Sequence, residues 1–250
     1  MLMKQWAVLF VALLPAFGVF AGEPDWRGYA EVLQSSVTQG SKHGTQLALV
    51  DYAGLKKSGA LDAVYRTLAA FPLAELNSRE EKLAFYINAY NILALKTVVD
   101  HWPVESIKDV GNLIKPVWDK PAGELGGKAV TLGQIEHTVL RPMGEPRIHL
   151  AIVCASVSCP DLRNEPYTAA QLDRQLDEQA QRFMDNRGKG LQVADRQIRV
   201  SKIFDWFGKD FDKSGGVEAF VRRYRPLLPS MPVEADIAYD WAVNGVSTEN

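Results

Sequence analysis

The sequence predicts an α+β fold, with a helical N-terminal half packed on a small, mainly antiparallel sheet. Three observations predict it. Apolar residues recur at helical spacing through most of residues 26–101. Short extended pieces bounded by Gly or by an Asp-Arg turn gather after residue 117. No linker and no internal repeat interrupts residues 22–250, which therefore read as a single α+β domain.

Taken in order, Trp26 to Val37 sets Tyr29, Val32, Leu33 and Val37 on one helical face. Val50-Asp51-Tyr52 is a short extended piece leading to Leu55. Leu61 to Phe71 is helical through Leu61, Val64, Tyr65 and Leu68, and Pro72 ends it. Ser78 and Glu81 form a capping box, a hydroxyl at the N-cap and a carboxylate three residues on, opening a helix from about Arg79 to His101. Apolar residues from Leu83 to Val99 wrap most of its circumference, which makes this helix central. Val117-Trp118-Asp119 and Lys128-Ala129-Val130 flank a Gly-rich turn and suggest a hairpin. Thr131 and Gln134 form a second capping box, for a helix to about Leu140 that carries Glu136 and His137. Ile148 to Val153 reads as a strand running into the cysteines. Thr168 to Asn186 is an amphipathic helix, and Leu191 to Val200 a hairpin around Asp195-Arg196. Ile203 to Phe211 and Val217 to Tyr224 are short helices, and Ile237 to Trp241 is a last strand.

Residues 1–21 stand apart. Lys4 gives a short positive region, Trp6 to Phe20 is apolar around Pro15, and Val19-Phe20-Ala21 offers small residues for cleavage before Gly22. An apolar run of about 15 residues falls short of the roughly 20 that span a bilayer. Residues 1–21 are read as a signal peptide, and the protein as exported and periplasmic, with no stable membrane insertion after cleavage. The 28 basic and 30 acidic side chains give a net charge of −2 with no basic run, which argues against nucleic acid as a partner.

Chemistry concentrates in RIHLAIVCASVSCPDLR, residues 147–163. Both cysteines and two of the four histidines lie between His137 and Cys159. An apolar run ends at Cys154, a small polar turn follows, and Pro160 can open a helix that would place Cys159 at its N-cap. Such a position lowers a thiol's pKa through unsatisfied N–H groups and the helix dipole. Cys159 and Cys154 are therefore candidate nucleophiles or a redox pair, with a static disulfide or inert buried thiols as the plain alternatives. A disulfide closing so short a loop adds only about 2 kcal/mol.

His137 is the candidate base, since tertiary packing can bring its helix to the cysteine turn. On a regular strand His149 and Cys154 would lie about 16 Å apart on opposite faces and make no direct pair. Glu136 points about 100° away from His137 on a helix and is not its automatic orienter. Asn88 and Asn91 share one face of the central helix, where they either bind substrate or satisfy a neighbouring loop. Asp240, or Asn244, could orient His137 and complete a Cys-His-Asp/Asn set. Phe204, Trp206, Phe207 and Phe211 form an aromatic stripe that is pocket or core. Two cysteines with His137 or His149 would suit Zn(II) or Cu(I), yet Cys-x4-Cys departs from the common zinc spacing and no His-x3-His appears. No metal and no cofactor is assigned. Ser156 and Ser158 lack a Gly-x-Ser-x-Gly frame.

Six phrases together resemble the bacterial and plant domain of unknown function 547: Val50-Asp51-Tyr52, AFYINAYN at 84–91, IEHTVLRP at 135–142, the cysteine segment, IFDWFGKDF at 203–211 and YDWAVN at 239–244. They follow the family's order across nearly all of residues 22–250. The family's name assigns no activity, so the resemblance implies a family and no reaction. The two-cysteine segment and the Glu136-His137 pair match it. Tyr86 stands where the family often has Trp. A more distant likeness is to papain-like and transglutaminase-like cysteine enzymes, which also join a helical half to a small antiparallel sheet. Papain's order puts Cys before His, whereas His137 and His149 precede both cysteines, so only a permuted arrangement fits.

The expected function is an exported cysteine-dependent hydrolase or acyl-transferase acting on an amide or thioester of a small molecule or peptide. The alternatives are a thiol–disulfide or metal-handling protein, and a non-catalytic binding module.

Overall fold

The computed structural model describes residues 22–246. The signal peptide read at 1–21 lies outside the described residues. The N-terminal half is helical, as expected: α1 (Arg27–Ser36), α2 (Tyr52–Ser58), α3 (Ala60–Ala70) and α4 (Arg79–His101). The capping box of α4 is formed, with the Ser78 hydroxyl accepting the Glu81 N–H at 3.0 Å and the Glu81 carboxylate accepting the Ser78 N–H at 2.8 Å. Fifteen α4 residues between Leu83 and Val99 are buried, so α4 is the axis of the larger core.

Between α1 and α2 runs an antiparallel hairpin, β1 (Val37–Lys42) and β2 (Thr45–Val50), of which the sequence showed only the end. Its His43-Gly44 turn has both φ angles positive, the geometry that follows the twist of the strands. The next hairpin joins β3 (Pro121–Leu125) to β4 (Lys128–Thr131) across Gly126-Gly127. Val117–Asp119, expected as its first strand, is instead a 3-10 turn started by Pro116, whose carbonyl accepts the Asp119 N–H at 3.0 Å. The second capping box is present and opens a wide π-type helix over Gln134–Leu140.

The expected strand at 148–153 is absent. Pro146–Leu150 is a 3-10 turn, and the Ile148 carbonyl accepts both the Ala151 and Ile152 N–H groups at 2.9 Å. An apolar run without periodicity fits strand and turn alike. Here Asn91 replaces the missing ladder: its Nδ2 donates to the Ala151 carbonyl at 3.1 Å and its Oδ1 accepts the Val153 N–H at 2.8 Å.

The C-terminal part holds α5 (Leu172–Asp185), β5 (Leu191–Val193), β6 (Ile198–Ser201), α6 (Ile203–Trp206), α7 (Gly216–Tyr224) and β7 (Val233–Ile237). β5 pairs antiparallel with β6, but β7 pairs parallel with it. The strands thus form three small sheets rather than one, and the last strand ends at Ile237 rather than starting there. Residues 239–243 instead pair with the cysteine turn, where the Ser158 and Val157 N–H groups donate to the Asp240 and Ala242 carbonyls. Two apolar clusters result. Ile148, Ile152 and Val153 belong to the α4 cluster, and Leu150 to the cluster of α5, α6 and α7. The cysteine segment runs along the seam between them.

Candidate active site

The cysteine turn is built by its neighbours rather than by a regular element. Asn91 fixes Val153, Ala155 takes a left-handed φ of 58°, and the Ser156 carbonyl accepts the Cys159 N–H at 3.1 Å. A left-handed non-glycine residue is costly and persists only where surroundings hold it. The turn folds back so that the Cys154 and Cys159 sulfurs lie 2.7 Å apart.

No helix starts at Pro160. Asp161 accepts the Ala48 N–H at 2.9 Å and the buried Lys189 ammonium at 2.6 Å, and its carbonyl accepts the Gln179 amide, so residues 160–163 are drawn out along β2 and α5. The helix-dipole argument for Cys159 therefore fails, and local donors replace it. Burial opposes ionisation of Cys159. Hydrogen bonds from the Cys154 thiol and the Cys154 N–H, the latter at 2.8 Å, with the Tyr239 hydroxyl close by, overcome that and bring its pKa down to about 7. Burial and the same neighbour push the Cys154 thiol well above its ordinary value. The pair titrates as a unit, and its first ionisation falls near neutrality. The Tyr239 hydroxyl lies 3.2 Å from both the Cys154 sulfur and the Ser156 hydroxyl.

Both sulfurs line a cavity of about 270 Å³, mainly apolar, that also receives Glu136, His137 and His149. His149 is buried and stacked on Phe207, with ring centroids 4.1 Å apart. Its Nε2 meets the Asp210 carboxylate at 2.7 Å, and Asp210 in turn accepts the Arg141 guanidinium at 2.6 and 3.0 Å. Burial drives the His149 pKa down to about 4 against the pull of Asp210. The Arg141 guanidinium holds Asp210 below the usual carboxylate range. Neutral His149 therefore donates from Nε2, and its Nδ1 lone pair is left without a partner. That nitrogen is 3.8 Å from the Glu136 carboxylate, beyond hydrogen-bond length. Burial raises Glu136 to about 7, so its carboxyl is half protonated at neutral pH.

Residues 73–184 match the family described as Protein of unknown function, DUF547. Those residues are a DUF547 domain. No curated protein and no solved structure matches the chain, and nothing found bears on the likeness to papain-like enzymes. The DUF547 domain spans α4, Glu136, both cavity histidines, both cysteines and α5. Asp210 and Tyr239, which complete the site, lie beyond the matched residues.

Of the residues singled out from the sequence, Cys154, Cys159, Glu136, His137 and His149 reach one cavity. His149 is a substrate-binding or orienting candidate in the sequence, and only its direct pairing with Cys154 is argued away there, from a strand that is absent. His137 is exposed, and its Nδ1 accepts from Arg141 at 3.2 Å; burial and that cation lower its pKa. Asn88 and Asn91 do not line the cavity. Asn88 exchanges two bonds with the Tyr167 backbone, as Asn91 does with the cysteine segment. Asp240 bonds His43 at 2.6 Å and Asn244 accepts from Tyr52 at 2.8 Å, so neither orients His137. Trp206 and Phe207 line the cavity, whereas Phe204 and Phe211 pack in the smaller core. Among the described residues no three His, Cys, Asp or Glu side chains group as metal ligands. Asp210, Arg141 and Tyr239 were not foreseen. All three nevertheless fall within phrases that carry the family resemblance, IEHTVLRP, IFDWFGKDF and YDWAVN.

Proposed function

We propose that the protein is an exported, cysteine-dependent hydrolase or acyl-transferase that acts on an amide or thioester, with Cys159 as the nucleophile. The observation that carries this reading is the Cys159 sulfur held by the Cys154 N–H at 2.8 Å in a cavity shared with Glu136 and His149. The ionised fraction of the Cys159 sulfur, about half at neutral pH, needs no base to attack. The Cys159 thiolate would add to the carbonyl carbon, forming a C–S bond and a tetrahedral oxyanion. As the oxyanion collapses, the bond to the leaving amine or thiol breaks, and that group takes the proton of the Glu136 carboxyl. Water or an acceptor nucleophile then attacks the thioester, loses its proton to Glu136, and frees the thiolate. His149, fixed by Asp210, would orient that exchange through its free Nδ1.

The test is acylation of the purified protein by an activated ester, followed by intact mass. One acyl group on Cys159 is expected, with a bell-shaped pH profile centred near 7, because thiolate rises and protonated Glu136 falls through that pH. Mass on neither cysteine would overturn the reading. The same sample should begin at Gly22 if residues 1–21 are a cleaved signal peptide. The 2.7 Å between the sulfurs favours a second reading, thiol–disulfide exchange. Cys154→Ser separates the two, since it would abolish exchange and leave Cys159 acylation in place.

A further inference from the structure

The cavity wall runs as a continuous aromatic surface from solvent to the sulfurs. Trp206, 45 % exposed at the mouth, stacks on Trp241 with centroids 5.7 Å apart. Trp241 packs on Tyr239 at 4.5 Å, and the Tyr239 hydroxyl reaches the Cys154 sulfur. Trp118 closes edge-on against Trp241 at 5.6 Å. Phe207, on His149, faces the same space. Among the described residues no Lys or Arg side chain lines the cavity, and nearby Arg141 is held in two bonds by Asp210. Above the outer wall the Lys108 ammonium sits 4.7 Å from Trp241, which disfavours a cation at the rim.

We propose that this cavity is an acyl pocket: it takes an uncharged, apolar acyl group of about six to eight carbon atoms, laid along the aromatic wall with its carbonyl at the sulfur pair. The upper limit follows from 270 Å³ divided among groups of about 30 Å³ each, the share of a water in a liquid, which gives about nine groups with the carbonyl oxygen included. The proposal rests on the acyl-transfer reading for its orientation, but pocket and reaction can be tested apart. A charged acyl tail laid inside the cavity would give up its hydration for an aromatic wall among whose lining residues there is no Lys or Arg.

The experiment is equilibrium binding of acetamide, butanamide, hexanamide and octanamide to the full chain, read by fluorescence of Trp118, Trp206 and Trp241. Affinity should rise about three- to fourfold per methylene up to the octanamide. Hexanamides carrying a terminal carboxylate or a terminal ammonium should bind at least 30-fold more weakly than hexanamide. Trp206→Ala, at a half-exposed position that leaves the fold intact, should flatten the chain-length slope, and Trp206→Phe should restore most of it. Affinity independent of chain length, or equal binding of a charged analogue, would overturn the proposal, even if an acetyl ester acylates Cys159. Length-dependent binding without acylation by an activated octanoyl ester would uphold the pocket and sink the acyl-transfer reading instead.

Discussion

Two sets of buried polar groups, the Asn pair of α4 and the ring of groups around the sulfurs, are treated in opposite ways. Asn88 and Asn91 each give one donor and one acceptor to a neighbouring backbone, so the amides and the chain they hold are satisfied together. Around the sulfurs bonding stays incomplete. Five buried side-chain atoms among the described residues have no partner, and His149 Nδ1 is the one that belongs to the cavity. A buried polar group with all its bonds specifies a fold, because losing a partner costs more than the bond contributed. A buried polar group with an open bond is held ready for something that arrives. The difference teaches where stability and chemistry are lodged around the cysteine segment.

The largest effect that could break this contrast is at Cys159. Cys159→Ser should slow acylation at least about a thousandfold, or roughly 4 kcal/mol of barrier, while the urea midpoint stays nearly fixed. The oxygen keeps the size class of the side chain and removes an anion, not a structural bond. A midpoint that falls as far as it does for a scaffold variant would mean that the sulfur pair holds the turn together, and the contrast would collapse.

Next in size is the cost of keeping Glu136 protonated. Its folded pKa of about 7 lies above the ordinary 4.5. With respect to this group, the protein is most stable below pH 4.5 and loses stability as pH rises through 7. The loss is on the order of 3 kcal/mol. His149, lowered to about 4, acts the other way, so its contribution is full above about 6.5 and falls away on acidification. Unfolding free energies of wild type and Glu136→Gln, compared at pH 5 and pH 8, isolate the first effect. The wild type should lose about 2.5 kcal/mol relative to the variant across that interval. A constant difference would show that Glu136 is ionised and solvated, and that it cannot supply a proton near neutrality.

On the scaffold side, Asn91→Leu should cost about 2 kcal/mol in urea unfolding, since the Ala151 carbonyl and the Val153 N–H would stay buried and unpaired. It should also broaden the cysteine turn and slow Cys159 alkylation. An unchanged midpoint would put water where the amide now sits.

The legible parts of the molecule are those whose physics is local. The Ser78–Glu81 box and the apolar circumference of α4 act within a few residues, and both are read directly from sequence. The hairpin of β1 and β2 escaped because β1, VTQGSK, is mostly polar and exposed, so no apolar alternation marks it. The 148–153 segment was misread because its conformation is imposed by Asn91, 60 residues away. The same strand would have turned His149 from Cys154, whereas the 3-10 turn brings both to one cavity. The partner of His149, Asp210, lies 61 residues further on, and nothing near either residue announces the pairing. The cysteines were legible as a group, but the cause of their acidity was not. It comes from a backbone N–H and a second sulfur, not from a helix end.

The smallest effect tests whether the cavity's polar groups act on the thiol through geometry alone. The Tyr239 hydroxyl lies 3.2 Å from the Cys154 sulfur and 3.2 Å from the Ser156 hydroxyl, and its ring is part of the aromatic wall. Tyr239→Phe keeps that wall and removes one donor to the sulfur pair. The midpoint of Cys159 alkylation against pH should move up by about half a unit to one unit, equivalent to roughly 1 kcal/mol. The effect is limited because the Cys154 N–H and thiol remain in place as donors. Global stability should hardly change, since the hydroxyl's other partner, Ser156, keeps its contact with the Cys154 sulfur at 3.2 Å. An unmoved midpoint would assign the acidity of Cys159 wholly to Cys154 and leave Tyr239 as wall. A shift of two units or more would make Tyr239 the main donor and reverse the order of influence argued for the sulfur pair.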